Sequence, residues 1–88
     1  MRSVEPQPSE QELPLWQLAL GCRAIVTGFS EALSPAYRTR MSEMGFHPGE
    51  TVSCVLRPAL GAPRMYRVSN TVFSLDRDIA GAIRVRPE

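Results

Sequence analysis

A chain of 88 residues, 43% apolar and 22% charged, is long enough for one small domain with a thin core and too short to surround a large catalytic cavity. No apolar run approaches the roughly 18 residues that a membrane-spanning helix needs, so a soluble protein is expected. Net charge is +1, but Glu5, Glu10 and Glu12 sit in the leader; from Leu13 onward nine Arg oppose six acidic residues, a local balance of +3. That excess is too mild to choose between nucleic acid, an acidic protein face and membrane headgroups as a partner.

Residues 1–12 carry Pro6 and Pro8, lack aromatic or clustered apolar residues, and read as a disordered tail ahead of a domain spanning 13–88. The first residues have no apolar secretory segment, which makes a cytoplasmic location the expectation. Leu13 to Leu18 form an apolar patch in which Pro14 can open a helical turn, with Leu15, Trp16 and Leu18 plugging one end of the domain. Gly21 ends it. Cys22 and Cys54 are 32 positions apart, form no C-x-x-C pair, and are expected to be reduced packing residues.

From Cys22 to Phe29, Ala24 and Val26 alternate toward one face, while Phe29 falls out of phase and Gly28 offers a bulge. Ser34-Pro35 is an N-cap followed by proline at the first helical position, and Tyr37, Met41 and Met44 recur at helical spacing as a core stripe. A helix over Pro35–Met44 is predicted, closed by Gly45 in the left-handed region. Pro48-Gly49 then turns the chain into a strand with Val52, Cys54 and Leu56 on its inner face.

The loop Pro58–Pro63 leads to a strand around Arg64–Ser69 with Tyr66 and Val68 inward, and Asn70 can supply the positive φ of a tight hairpin into a strand carrying Phe73 and Leu75. Asp76–Gly81 reads as a turn or single helical turn. Ile83 and Val85 form a last strand, which Pro87 is expected to stop. These elements predict a mainly β protein, a small SH3-like five-stranded barrel with one α-helix between the first and second strands.

Four ordered motifs carry a family resemblance: L-x-x-L-x-x-G-x-x-A-x-V from Leu15 to Val26, M-x-x-M-G-F-x-P-G from Met41 to Gly49, G-x-P from Gly61 to Pro63, and A-x-x-I-x-V from Ala80 to Val85. Together they resemble the FeoA family, small cytoplasmic accessory proteins of bacterial ferrous iron uptake, over about Leu13 to Arg86. The resemblance implies an SH3-like barrel that binds the cytosolic region of a membrane-bound ferrous iron transporter with a GTPase domain and modulates Fe(II) uptake. It implies no catalytic residues and no cofactor. Gly21, Met41, Met44, Gly45, Pro48, Gly49 and Asn70 are the structural motif positions, with Asn70 standing where the family often has glycine. Arg64 replaces an aliphatic residue, which would leave one barrel edge more polar.

His47 lies beside Glu43 and Glu50, but one histidine without a second His or paired Cys falls short of the three or four ligands a metal site needs, so no metal site is expected. No base, nucleophile or carboxylate pair suggests an enzyme, and no Gly-rich phosphate loop is present. Arg57, Arg64, Arg67, Arg84 and Arg86 could form a basic stripe for nucleic acid, yet the aromatic residues are assigned inward, leaving no stacking platform. A small nucleic-acid-binding barrel and a metal-responsive regulatory module are the alternatives. Protein binding is favoured on two surfaces: the outward face of the middle strands, Val55, Met65 and Val72 between Arg57 and Arg67, and the helix with its following loop, Arg38, Phe46 and His47.

Overall fold

The computed structural model describes residues 11–88. The expectation for the tail lies outside the described residues up to residue 10; Gln11 and Glu12 are exposed. Six antiparallel strands form one sheet in the order β1-β6-β2-β3-β4-β5. They are β1 (Leu13–Pro14), β2 (Arg23–Phe29), β3 (Thr51–Leu56), β4 (Arg64–Val68), β5 (Thr71–Leu75) and β6 (Ile83–Pro87), with α1 (Pro35–Met44) between β2 and β3 and α2 (Arg77–Gly81) before β6. The sixth strand is the correction to the expected five: β1 has two residues, paired with Val85 and Arg84, too few to show a strand period.

Helix α1 has the predicted limits. The Ser34 side chain accepts from the Tyr37 N–H, Pro35 occupies the first turn, and Gly45 closes the helix at φ 118°. A Cβ on Gly45 would lie 3.0 Å from Ser69 Oγ, so the helix end also packs tightly against the β4–β5 turn and a side chain there would push the Ser69 hydroxyl aside. That turn has two residues, Ser69 and Asn70, both at positive φ as a type I′ hairpin requires. At α2, Asp76 Oδ1 accepts from the Ile79 N–H at 2.9 Å.

The core lies between the inner faces of the strands: Ala24 and Val26 of β2, Val52 and Cys54 of β3, Tyr66 and Val68 of β4, Leu75 of β5, Ile83 and Val85 of β6. Leu15, Leu18, Leu33, Met41, Phe46, Ala80 and Ala82 complete it, with Trp16, Phe29, Met44 and Phe73 packed at its margin. Burial of this apolar surface, at roughly 25 cal/mol per Å2, is what offsets the entropy of ordering so short a chain.

Glycine bulges bound the β2–β3 ladder at both ends. Gly49 N–H donates to the Val26 carbonyl (2.8 Å) while Val26 N–H donates to Glu50 (2.9 Å); Gly21 N–H donates to Cys54 (2.8 Å) while Cys54 N–H donates to Cys22 (3.2 Å). In each case a glycine at positive φ, 94° and 82°, takes the extra place opposite one residue, the arrangement of a G1 bulge. The register shift on β2 falls between Val26 and Gly28, as the sequence suggests, and returns Phe29 to the core margin.

Four expectations change. Leu56 faces out, because a second bulge between Cys54 and Leu56 makes Val55 the extra residue and sets Leu56 opposite outward Met65. Tyr37 is exposed rather than part of the core stripe: the ten-residue helix buries only Met41 fully, with Met44 at its edge. Pro87 does not stop pairing, since it lies opposite Ala24 and Glu88 N–H donates onward to Arg23 (3.1 Å). Its missing donor faces the other side, where β1 has already ended. Cys22 is exposed, not packed.

Candidate functional site

The outward face of β3, β4 and β5 is built by cross-strand register. Val52, Cys54, Tyr66 and Val68 point into the core, so Ser53, Met65, Arg67 and Val72 point out, with Arg67 opposite both Ser53 and Val72 and Met65 opposite Leu56 and Ser74. The bulge at Val55 matters here. It leaves two adjacent apolar side chains, Val55 (37% exposed) and Leu56 (48%), on the surface of the same sheet face as Val72 (38%). Leu60, at the tip of the β3–β4 loop with φ 65°, is fully solvent-exposed.

The face therefore mixes apolar side chains on all three strands with a cation, Arg67, on the middle one. Arg57 and Arg67 are both exposed, and neither belongs to the ion pairs among the described residues, which are Arg23–Glu88 (3.1 Å), His47–Glu50 (3.4 Å) and Arg84–Glu12 (3.8 Å). Four of the expected residues, Val55, Met65, Arg67 and Val72, thus share one face, while Arg57 is exposed just past the end of β3. Leu56 joins them and was missed, because strict alternation assigns it inward. The one signal for it was the run Val55-Leu56, two consecutive apolar residues where an alternating strand has one.

The second expected surface separates. Phe46 is fully buried, its ring 5.7 Å from that of Phe73 and tilted by 55°, so it is a core residue and not a contact for a partner. Arg38 is half-buried and holds the loop ahead of α1, donating from Nε to the Leu33 carbonyl (2.9 Å) and from Nη2 to that of Ser30 (3.4 Å). His47 is exposed, with Nε2 3.4 Å from Glu50. Pro48 and Gly49 form the central pair of the turn from His47 to Glu50, whose N–H donates back to the His47 carbonyl (3.1 Å). Among the described residues no three His, Cys, Asp or Glu side chains come together.

Basic residues likewise divide. The Arg64 guanidinium lies over the Trp16 ring, 3.7 Å from its centre, and Nη1 donates to the Trp16 carbonyl. The barrel edge that Arg64 was expected to make more polar is thereby closed by the side chain itself. Tyr66 Oη donates to the Leu15 carbonyl beside it (3.5 Å), and burial pushes the Tyr66 hydroxyl pKa up to about 12.

The model of the FeoA domain matches residues 13–87. The chain belongs to the FeoA family. That family is associated with ferrous iron transport and supplies an accessory domain rather than a known enzyme. The zinc-complexed FeoA of Stenotrophomonas maltophilia, described as a prokaryotic SH3 domain protein, is 30% identical with a TM-score of 0.73, over 84% of this chain and 93% of that one. The FeoA of Chlorobium tepidum is 28% identical with a TM-score of 0.76, over 85% of this chain and 70% of that one. A manganese-dependent transcriptional repressor shares the fold alone, at 18% identity and a TM-score of 0.76, over 94% of this chain but 48% of the repressor. No curated protein matches the chain by sequence. Family and neighbours bear out the SH3-like fold of this FeoA protein. None of its described helices is long and apolar enough to cross a membrane.

Proposed function

We propose that this FeoA protein is a cytoplasmic accessory factor that docks on the cytosolic region of a membrane-bound ferrous iron transporter with a GTPase domain and modulates Fe(II) uptake. The observation that supports it most is the outward face of β3–β5, where Val55, Leu56, Met65 and Val72 stand at the surface with Arg67 among them and Arg57 exposed just past β3. Interfaces between proteins combine apolar contacts that exclude water with charges that steer approach. A role in activating ferrous iron transport has been suggested for the Stenotrophomonas relative, in keeping with this reading. The nucleic-acid alternative draws less support: Arg64 is engaged with Trp16 and Arg84 with Glu12, which breaks the basic stripe, and Phe46, Tyr66 and Phe73 are in or against the core.

Capture of the transporter's cytosolic region by the immobilised protein, with and without guanine nucleotide, tests the proposal. Absence of binding in both states, together with unchanged iron uptake on deletion, defeats it.

A further inference from the structure

The register of β2 on β3 sets the chain's two thiols opposite one another. Arg23 pairs with Ser53 and Ala24 with Val52, so one step along the ladder Cys22 faces Cys54. Backbone bonds hold the two residues there: Cys54 N–H donates to the Cys22 carbonyl at 3.2 Å, and Gly21 N–H donates to the Cys54 carbonyl at 2.8 Å. Opposed residues in an antiparallel ladder have Cα atoms about 4.5–5.5 Å apart. A disulfide spans roughly 4.4–6.8 Å between Cα atoms, a range that contains the spacing of opposed residues.

Side-chain alternation places both on the inner face. Ala24 and Val52, two residues along each strand, are buried opposite each other, while Arg23 between Cys22 and Ala24 points outward. Cys22 is nevertheless accessible, because it lies at the mouth of the barrel and lines a cleft of about 570 Å3 with Leu13, Leu18, Arg23 and Pro87. Cys54 is fully buried, and its Sγ–H donates to the Leu56 carbonyl at 3.9 Å. Burial raises the Cys54 pKa, and a Cys22 thiolate would raise it further. The exposed thiol therefore meets a reagent from solvent first, and the buried one follows.

We propose that Cys22 and Cys54 form a reactive dithiol which small-molecule disulfides oxidise to an intramolecular cross-strand disulfide. The Cys22 thiolate attacks the reagent disulfide, forming a mixed disulfide and releasing one reagent thiolate. Cys54 then loses its proton and attacks the Cys22 sulfur, releasing the second. Two protein thiols are oxidised and one reagent disulfide is reduced to two thiols. An exposed Cys22 leaves the product open to reduction by the same exchange run backwards, a reversible modification at the end of the β2–β3 ladder.

The test treats the full chain with excess oxidised glutathione, quenches with an alkylating agent under denaturing conditions, and reads the intact mass and peptide map. Expected is a species lighter than the reduced chain by about 2 Da, with Cys22 joined to Cys54, no alkylation, and recovery of both thiols in dithiothreitol. Cys54→Ala should stop at a stable glutathione adduct on Cys22, and Cys22→Ser should leave Cys54 reduced. A wild-type chain that accumulates the Cys22 adduct while Cys54 remains free for alkylation overturns the proposal. So does a disulfide found only between two copies of the chain. Both of these results are read on the unmutated protein, so they stand even where a variant fails to fold.

Discussion

The Arg64 side chain bridges β4 and the 3-10 turn Leu15–Gln17 by covering the Trp16 ring and bonding its carbonyl, 48 residues away in sequence. β1 and β5 are the two free edges of the sheet, and this contact joins the region after β1 to the strand beside β5 without any strand pairing. Arg64→Ala should lower folding stability by about 2–3 kcal/mol, the sum of a partly desolvated cation–π contact and a charge-assisted hydrogen bond. Arg64→Met keeps the stem and should recover the packing share of that loss. Urea unfolding of the two variants measures the split, and a loss below about 0.5 kcal/mol for Ala would show the bridge to be decorative.

Gly45 and Gly49 separate two reasons for glycine. Both have positive φ, but a Cβ on Gly45 meets Ser69 Oγ at 3.0 Å whereas one on Gly49 meets nothing within 4 Å. Gly49→Ala should cost about 1 kcal/mol of backbone strain, and Gly45→Ala more than that, because the Ser69 hydroxyl must also move. Ser69→Gly on the Gly45→Ala background should restore the difference. Equal thermal midpoints for the two single variants would contradict this.

If the outward face of β3–β5 is the docking face, then Leu56→Asp or Val72→Asp should weaken binding to the transporter's cytosolic region about tenfold or more. Stability should change by only about 0.5–1 kcal/mol, since both side chains are at the surface and outside the core. Arg57→Glu should act mainly on the association rate and lose its effect at high salt. Titration calorimetry and salt-dependent kinetics distinguish these outcomes.

Tyr66 makes stability fall in alkali. Its hydroxyl holds a proton to about pH 12 in the folded chain, against 10.0 for an ordinary tyrosine. Between those values the folded state binds one proton more than the unfolded state, so unfolding becomes easier as pH rises. The contribution is fully present below pH 10 and is lost by about pH 12. Tyr66→Phe should flatten the decline in urea midpoint across that window; an unchanged slope would place its cause elsewhere.

Much of the fold was legible because local chemistry agreed with tertiary structure. Ser34-Pro35 and Gly45 mark both ends of α1, and Pro48-Gly49 and Asn70 mark the turns around β3 and β5. What escaped was what only pairing reveals. Nothing local distinguishes Leu13–Pro14 as a strand, since β6 supplies its hydrogen bonds. Leu56 followed the alternation that a bulge interrupts, and Phe46 sat in a loop that the core absorbs next to Phe73. A separation of 32 positions concealed that Cys22 and Cys54 are neighbours, and only the register of β2 on β3 shows it. Of the candidate surface, the sheet face is readable from alternation, whereas the role of Arg38 is not, because its carbonyl acceptors lie five and eight residues back.

The paired glycine bulges have a consequence for how such a chain can change its length. Sliding β3 by a single residue would exchange its inner and outer side chains. With an out-of-sequence kink anchoring each end, the few rungs from Arg23–Ser53 to Ile25–Thr51 cannot creep. The excursion from Ser30 to Pro48 can therefore gain or lose residues over time, and the rungs will still meet in the same order.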